Sequence, residues 1–409
     1  MRKKIIFVLI GVVLFFCGCD DSSELRILNK GITNSSLIKG TEAASSEGKS
    51  SGKYKALNYK EQKAVWISYI ELADFLADKN EESFKAKFTK AMDNVKESGF
   101  NTVYVHVRAF SDAYYNSSYY PKAFILSGTD FDPLEIMTKI AHDKEISFHA
   151  WINPFRCMSD DNMQSIPSNY KVREWYDEKG NIIKLADDSS LYWLNPSYDE
   201  VFDLICNGAE EIIEKYDVDG VHFDDYFFPT TDESFDSEEF KNSGEKDLSE
   251  YRISRINKMV SEVYSTIKNE NESVLFGLSP QGNIDNDYNS QFADVKRWCK
   301  EKGYCDYIAP QVYYGYDSTC PYAETIEKWN EMCSSKTVSL VIGLGEYKIV
   351  SEEEFISTKG IIANMINDAK KLENYSGIAI YNYKNLFDAD EENAERVMAE
   401  KELIERSIK

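Results

Sequence analysis

The chain has 409 residues, which is enough for one large domain with extensions or for two ordinary domains. Its 43% hydrophobic and 13% aromatic content is typical of a globular protein with a large core. A net charge of −23 argues against nucleic acid or another polyanion as the main partner. We therefore expect a folded, acidic protein that binds no nucleic acid.

The first 18 residues have the organisation of a bacterial export signal. A basic start at residues 2–4 precedes an apolar run at 5–16, which is too short for a comfortable membrane span. Cys19 follows Gly18, and this resembles the lipidated Cys that begins mature bacterial lipoproteins. We therefore expect a signal peptide over 1–18, lipidation of Cys19, and a protein held at the cell membrane on its extracytoplasmic side. The alternatives are an ordinary secretory signal or an uncleaved anchor.

Residues 19–59 have the composition of a flexible tether. They are rich in Ser, Gly, Asn, Lys and Glu and show no apolar periodicity. A flexible chain of this length has an end-to-end distance of roughly 30–40 Å. Such a tether would hold a domain beyond the membrane surface, close to the cell wall.

From residue 60 to 390, short β-rich runs alternate with longer amphipathic stretches. Helical spacing is clear where Phe84, Phe88 and Met92 recur four positions apart. Eight predicted strands separated by helices indicate a single α/β domain with the (β/α)8 TIM barrel fold, followed by a C-terminal helix over 391–409. A doubly wound sheet is the alternative, but its usual Gly-rich phosphate loop does not occur in this sequence. The predicted strands are 64–70, 102–109, 147–153, 220–224, 274–279, 307–313, 338–344 and 377–381.

Two of the predicted connections are long, at 155–194 after the third strand and at 227–247 after the fourth. In a barrel both follow the carboxyl ends of strands, where the active sites of such barrels lie. Long loops on this C-terminal face commonly form the walls of a substrate site. The alternative for the second loop is a mobile surface excursion.

A polar residue recurs near the end of five predicted strands, always in the same phase of the strand alternation. Because side chains alternate between the two faces of a strand, these five groups are predicted to share one face. A barrel exterior covered by helices does not favour such groups, so we expect them in the barrel mouth. The residues are Arg108, Asn153, Asp224, Ser279 and Gln311.

Asp224 and Asp225 end the fourth predicted strand and precede the aromatic Tyr226. Adjacent carboxylates repel each other and are costly to bury unless something uses or screens them. This favours a role in binding or catalysis, and the neighbouring aromatic rings offer flat apolar faces for a sugar. The alternatives are that the two acids cap the next element or bind a structural cation.

Six short motifs fall in order on successive strand ends. They are AVWISY at 64–69, Arg108 with DAYY at 112–115, AWINPFR at 150–156, DGVHFDDYFFP at 219–229, SPQG at 279–282 and APQVY at 309–313. Together they resemble the bacterial glycosyl hydrolase-like family ten proteins over roughly 60–387. The resemblance implies an exported barrel protein, often a lipoprotein, that hydrolyses glycosidic bonds of a polysaccharide. Tyr314 departs from the family pattern, which often has Trp there, and this leaves the shape of one sugar subsite open.

Asp219 and Gly220 followed by Asp224 are similar to the fourth-strand pattern of several barrel glycosidases. In those proteins the last Asp is a nucleophile or stabilises the charged intermediate, which makes Asp224 the first candidate for a catalytic carboxylate. A chitinase-type proton donor is not matched, because Tyr226 stands at its position. Glycoside hydrolysis normally needs a second carboxyl group. The candidates are Asp225, Glu71, Asp112 and Glu346.

The remaining site predictions concern substrate binding. Arg108 and Arg156 are expected either to bind a substrate carboxylate, such as the lactyl group of muramic acid, or to pair with the two Asp. Trp151 is expected in the core or stacked on a sugar ring. The predicted substrate-binding residues are Arg108, Asp112, Asn153, Arg156, His222, Tyr226, Gln311 and Tyr313.

A metallohydrolase built on His106, His149 and His222 is the rival mechanism. These histidines are predicted to lie below the polar floor, and no HxH pair ends the first strand, so we expect core histidines and neither a metal nor another cofactor. The combined interpretation is a monomeric, lipid-anchored glycoside hydrolase that cleaves cell-wall glycan, as peptide-free peptidoglycan strands, by carboxylate acid/base chemistry. The alternatives are a non-catalytic carbohydrate-binding lipoprotein and a glycosidase for an environmental polysaccharide.

Overall fold

The computed structural model describes residues 54–186 and 190–409. The predicted signal peptide, the predicted lipidation site at Cys19 and most of the predicted tether lie outside the described residues. Within the two described ranges, no helix is both long and apolar enough to cross a membrane.

Eight parallel strands form a closed barrel. Each strand pairs with the next one along the chain, and the last strand pairs with the first to complete the circle. This confirms the predicted (β/α)8 fold. The barrel strands are β1 (Gln62–Ile67), β2 (Thr102–Arg108), β3 (Ser147–Ile152), β4 (Gly220–Phe223), β5 (Leu275–Leu278), β6 (Tyr307–Ile308), β7 (Ser339–Gly345) and β8 (Tyr375–Tyr381).

Helices connect the strands and cover the barrel. In the helix Glu81–Glu97, the regularly spaced Phe84 and Phe88 are fully buried, and Asn80 caps the first turn by accepting the Ser83 N–H. The described helices of eight or more residues are Tyr69–Leu76, Glu81–Glu97, Pro133–Asp143, Lys171–Glu178, Asp199–Lys215, Leu248–Glu270, Tyr322–Met332, Ile361–Ala369 and Ala394–Ile408. The shorter ones are Asp160–Ser165, Ser237–Ser243, Ile284–Ser290, Val295–Lys300, Glu353–Ser357 and Tyr383–Phe387.

The long connection after β3 contains a small antiparallel sheet that the sequence did not predict. Its strands, in order across the sheet, are Arg156–Ser159, Leu191–Leu194 and Ile183–Leu185. Strands of three or four residues are too short to show a periodic pattern. Arg156 is directly opposite Trp193 in this sheet, so two residues of the loop are held side by side.

The sixth barrel strand is shorter than the predicted range 307–313. The regular ladder is limited to Tyr307–Ile308 because Pro310 has no N–H to donate. Gln311 nevertheless bridges Gln281 on one side and Gly343 on the other, which keeps it in the barrel wall at the carboxyl end.

Buried polar rings form a chain inside the barrel, below its mouth. Trp66 Nε1–H donates to Nε2 of His222 at 3.1 Å, so the neutral imidazole carries its proton on Nδ1 and donates it to the Tyr307 hydroxyl at 2.8 Å. That hydroxyl lies 2.8 Å from Nδ1 of His149. Burial lowers the pKa of both histidines. The prediction that His222 binds substrate is wrong, because the side chain is fully buried and both ring nitrogens are used in the core.

The segment before β1 packs at the amino-terminal ends of the strands, opposite the mouth. Asp219 is fully buried just ahead of β4 and accepts the Tyr54 hydroxyl at 2.7 Å and the Leu57 N–H at 2.5 Å. Asn58 Nδ2–H donates to the carbonyl of Ser273, shortly before β5, at 2.7 Å. These bonds fix the point at which the described chain enters the barrel.

Candidate active site

The mouth of the barrel is built around Asp224, which directly follows β4. Its side chain is only 7% exposed, and three N–H groups bind it. Oδ1 accepts Gln311 Nε2–H at 2.9 Å and the backbone N–H of Asp225 at 2.8 Å, whereas Oδ2 accepts Trp151 Nε1–H at 3.2 Å. Gln311 is itself oriented by the carbonyl of Ser279, to which it donates at 3.2 Å. Groups from four neighbouring strand ends therefore fix one carboxylate.

Trp151 supports the floor of the mouth instead of offering a face to a sugar. Its ring is 4% exposed and stacks on His106, with 3.5 Å between ring centroids. His106 Nδ1 accepts the Tyr69 N–H at 3.4 Å, and Nε2 lies 3.3 Å from Oδ1 of Asn153. Asn153 is fully buried and donates to the carbonyl of Ala109 at 3.2 Å. The predicted contact of Asn153 with a sugar is therefore wrong, because its amide holds the floor together.

Asp225 lies beside Asp224 and is partly exposed. Burial raises the pKa of Asp224 well above its usual value, and repulsion by Asp225 raises this pKa further. Burial also raises the pKa of Asp225. The pair therefore retains a proton at a pH where an isolated Asp has lost it. Three N–H donors and the nearby Arg156 oppose this rise in the pKa of Asp224, so the two carboxyl groups share one proton.

Arg156 brings a positive charge to the mouth. Its side chain is 4% exposed and lies between two aromatic rings, with the guanidinium carbon 4.6 Å from the ring centroids of both Phe110 and Tyr226. Such cation–π contacts help to hold a guanidinium in place. Burial and Asp225 raise the pKa of Asp224, and the positive charge of Arg156 opposes this rise.

Aromatic side chains form walls on two sides of the mouth. Tyr226 packs against Trp193 of the small sheet, at 5.9 Å between centroids. Tyr313, Tyr347 and Tyr381 form a second cluster with centroids 5.9–6.1 Å apart, and all three are partly exposed. The sequence predicted Tyr226 and Tyr313 but missed the other three residues. Tyr381 is the last residue of β8, and this position in the sequence could have identified it as a residue of the mouth.

Arg108 does not lie in the mouth, contrary to the prediction. A register irregularity between His106 and Arg108 interrupts the alternation of β2, and Arg108 points outward. Its guanidinium lies 4.0 Å from the ring centroid of Tyr120 and packs against Gly208 in the helix Asp199–Lys215, where a Cβ would come within 2.4 Å of Nη1. The side chain is 1% exposed, so it supports helix packing and is not available to substrate.

Two of the candidate acids bind backbone groups instead of facing the mouth. Asp112 accepts the N–H groups of Ala109 and Phe110 at 3.1 and 3.0 Å, which closes the turn after β2. Glu71 accepts the Ser68 N–H at 2.9 Å and completes a capping box at the start of a helix. The predictions that Asp112 binds substrate and that either acid is the second catalytic carboxyl are therefore wrong.

Glu346, the other predicted catalytic acid, faces the C-terminal helix Ala394–Ile408. β7 ends at Gly345, and the chain then enters the 3-10 turn Glu346–Val350. The Glu346 side chain is fully buried and lines a cavity together with Val397 of that helix. Neither Asp224 nor Asp225 lines this cavity, so the structure does not bring Glu346 together with the pair, contrary to the prediction.

A closed barrel with a buried carboxylate pair and aromatic walls at the carboxyl ends of its strands is typical of a TIM-barrel protein of the glycoside hydrolase type. The sequence profile described as "Glycosyl hydrolase-like 10" matches residues 61–357. Because this match covers more than half of the chain, the chain belongs to the glycosyl hydrolase-like 10 family.

Named relatives agree with this class. "Glycosyl hydrolase YngK" of Bacillus subtilis (strain 168) is 31% identical over 324 residues, covering 71% of this chain and 61% of YngK. "Glycosyl hydrolase DigH" of Escherichia coli (strain K12) is 28% identical over 309 residues, covering 68% of this chain and 70% of DigH. The chain thus spans about three fifths of the length of YngK.

Among solved structures, the glycoside hydrolase domain of PgaB (BpsB) from Bordetella bronchiseptica is similar, with a TM-score of 0.58 at 11% identity. The match covers 84% of this chain and 99% of that domain. At this level of identity the likeness concerns the fold, and it agrees with the barrel described above.

Proposed function

We propose that this protein is an exported, lipid-anchored glycoside hydrolase that cleaves cell-wall glycan as a monomer, with peptide-free peptidoglycan strands as its substrate. The observation that carries the proposal is the pair formed by the buried Asp224 and the partly exposed Asp225, which lies at the barrel mouth between aromatic walls. Membership of the family and the names of YngK and DigH support hydrolysis of glycosidic bonds. The expected signal peptide and Cys19 support a location beside the cell wall.

The pair favours a mechanism in which the substrate supplies the nucleophile. Glycosidases that use two carboxyl groups hold them about 5–5.5 Å apart for retention or about 6.5–9.5 Å apart for inversion, with the sugar between them. Here the carboxyl groups of Asp224 and Asp225 are in hydrogen-bonding contact. The other candidate acids, Glu71, Asp112 and Glu346, do not face this pair. The 2-acetamido group of an N-acetyl sugar is a nucleophile that needs no further carboxylate.

In the first step, the acetamide carbonyl oxygen attacks C1 of the sugar while the bond from C1 to the leaving oxygen breaks. Asp225 donates its proton to that leaving oxygen, and the Asp224 carboxylate binds the acetamide N–H and stabilises the positive charge that develops on the new ring. In the second step, water attacks C1, the bond from C1 to the acetamide oxygen breaks, and Asp225 takes back a proton. Two inversions at C1 give net retention of configuration.

The other residues of the mouth favour a glycan substrate that contains acidic sugars. Arg156 would bind the lactyl carboxylate of muramic acid, since its charge is held in place by ring contacts. The partly exposed Tyr226 and Tyr313 would stack on sugar faces to either side of the scissile bond.

The test is a comparison of the wild type, Asp224→Asn and Asp225→Asn on peptide-free peptidoglycan strands, read by mass spectrometry of the products. Wild type is expected to release short saccharides, and each variant to lose about 100-fold or more in rate. Asp161→Asn, an exposed acid in the neighbouring loop, is the matched control and is expected to keep full activity. Retention of strand binding without any cleavage by wild type would instead identify a carbohydrate-binding lipoprotein.

Anchoring is tested separately on the full-length chain expressed in a bacterium. Metabolic labelling with a fatty acid is expected to mark the wild type and not Cys19→Ser. Equal labelling of both proteins, or labelling of neither, would contradict the lipid anchor while leaving the assignment of the hydrolase untouched.

A further inference from the structure

A small cavity lies between the turn after β7 and the C-terminal helix Ala394–Ile408. Its volume is about 50 Å³, which is enough for a hydrated ion or a few water molecules. One wall is the 3-10 turn Glu346–Val350 after β7, and the other comes from the chain around Asp390 and from the start of the helix Ala394–Ile408. Oxygen-bearing side chains in its lining are Glu346, Tyr347, Asn385, Asp390 and Asn393.

Glu346 is the unusual member of this lining. Its side chain is fully buried, and neither carboxylate oxygen has a hydrogen-bond partner among the described residues. Leaving a buried carboxylate without a partner costs several kcal/mol in general.

Glu400 shows how a second buried acid in the same region is stabilised. Its carboxylate accepts the N–H groups of Gly360 at 2.8 Å and Ile362 at 2.9 Å, at the start of the helix Ile361–Ala369. A helix start carries partial positive charge, which compensates the acid. Glu346 has no such compensation among the described residues, although it faces a cavity.

We propose that this cavity binds a calcium ion through the side-chain oxygens of Glu346, Asp390, Asn385 and Asn393. Two carboxylates and two amides supply up to six oxygen ligands, which is within the six to eight that Ca²⁺ takes. The two carboxylate charges balance the charge of the ion. No Lys or Arg side chain lines this cavity in the described part of the chain, so the negative charge has no internal counter-ion there.

The local sequence suits an oxygen-rich site. The run Asp388-Ala389-Asp390-Glu391-Glu392-Asn393 leads into the C-terminal helix, and the Asn393 N–H donates to the carbonyl of Asp390 at 2.9 Å to close a turn. Asn393 stands at the start of the helix, but its side chain makes no capping hydrogen bond. An Asn in that position commonly caps the helix, so its amide oxygen is left for another use.

The ion would join the C-terminal helix to the wall of the mouth. Tyr347 follows Glu346 directly, lines the same cavity and belongs to the tyrosine cluster with Tyr313 and Tyr381. Binding of Ca²⁺ therefore fixes the turn that carries one of the aromatic walls. This inference does not depend on the reaction that the barrel catalyses.

The test is a titration of the full-length chain with Ca²⁺, in which binding is followed by calorimetry. Thermal unfolding is then compared between the protein with Ca²⁺ and the protein treated with EGTA. We expect one Ca²⁺ per chain with a Kd of about 0.1–1 mM, the range of extracellular calcium modules. At Ca²⁺ about 100-fold above Kd, Tm is expected to rise by about 3–5 °C.

Glu346→Gln is expected to abolish this rise while leaving the EGTA-treated protein at least as stable as the wild type, because the substitution removes an uncompensated buried acid. Asp390 is exposed, so Asp390→Asn is expected to fold normally and to weaken Ca²⁺ binding about tenfold or more. The matched control is Glu391→Gln, which changes an acid that does not line the cavity. Absence of Ca²⁺ binding by wild type, or equal binding by wild type and Asp390→Asn, would overturn the proposal.

Discussion

The indole of Trp151 connects the catalytic candidate Asp224 to the packed interior of the barrel. Its Nε1–H donates to Asp224 Oδ2 at 3.2 Å, while its ring stacks on His106 at 3.5 Å between centroids. One side chain therefore provides both a hydrogen bond that favours the charged form of the carboxylate and a ring contact that prevents the donor from moving.

Trp151→Phe separates these two contributions, because it keeps a ring against His106 and removes only the N–H donor. We expect kcat on glycan strands to fall about tenfold, since a hydrogen bond to a charged group contributes about 1.5–3 kcal/mol. The free energy of unfolding should change far less than in Trp151→Ala. Steady-state kinetics and urea unfolding measure the two quantities, and an unchanged kcat would contradict the role given to Trp151.

The rate is expected to depend on pH through the proton of the carboxylate pair. Burial raises the pKa of Asp224 and of Asp225, so the pair keeps one proton through the range where an ordinary Asp is ionised. The general acid is lost when that proton leaves, and kcat should therefore fall as the pH rises through the raised pKa. In Arg156→Met this fall should move to higher pH, because a positive charge that favours ionisation of the pair is gone.

Arg156→Met also tests recognition of an acidic sugar. KM for strands that contain muramic acid should rise about tenfold or more, because a charged hydrogen bond to the lactyl carboxylate is lost. KM for oligomers of N-acetylglucosamine, which have no carboxylate, should change little. Arg406→Met, on the outer surface of the C-terminal helix, is the control. An equal rise for both substrates would show that Arg156 does not read the lactyl group.

Gly277 on β5 is expected to tolerate no side chain. A Cβ at this position would lie 1.9 Å from Cζ of Tyr307, whose hydroxyl is tied to two histidines of the core. Gly277→Ala should reduce the free energy of unfolding by about 3 kcal/mol or more. Gly180→Ala, where a Cβ would meet nothing within 4 Å, should change it by less than about 0.5 kcal/mol. Urea unfolding of both variants decides the point.

A substitution of Arg108 distinguishes its observed position, packed against a helix outside the barrel, from the position in the mouth that side-chain alternation along β2 predicted. Since Arg108 packs between Tyr120 and Gly208, Arg108→Met should lower the free energy of unfolding by about 1–3 kcal/mol and leave KM unchanged. If the Arg108 side chain instead lay in the mouth, Arg108→Met would change KM and leave the free energy of unfolding nearly unchanged. Kinetics of the folded variant at low temperature, together with its unfolding curve, separates the two cases.

The alternation of predicted strands with predicted helices was sufficient to predict the fold, and the alternation of side chains along each strand was sufficient to predict part of the site. The eight strands are recognisable because β-rich runs of regular length recur between amphipathic helices. Alternation also places Asp224 and Gln311 on one face, and the structure joins them at 2.9 Å. Asp224 directly follows a regular strand, and the bridges from Gln311 to Gln281 and Gly343 keep Gln311 in the barrel wall beyond the regular ladder. For these two residues, position in sequence therefore translates into position in space.

The predictions failed where the backbone departs from that regularity. The irregularity after His106 turns Arg108 outward, and the 3-10 turn after Gly345 carries Glu346 toward the C-terminal helix. Neither departure has a marker in the sequence such as Pro. His222 is a different case, because its strand is regular and only its depth in the barrel, below Asp224, decides that it belongs to the core.

The bonds from Tyr54 and Leu57 to Asp219 have a mechanical consequence for an anchored protein. They lie at the amino-terminal ends of the barrel strands, opposite Asp224. If the protein is anchored through residues ahead of 54, as we propose, a force on the chain at Tyr54 would act first on the hydrogen bonds to Asp219. The carboxylate pair, at the other ends of the strands, would be kept apart from that force.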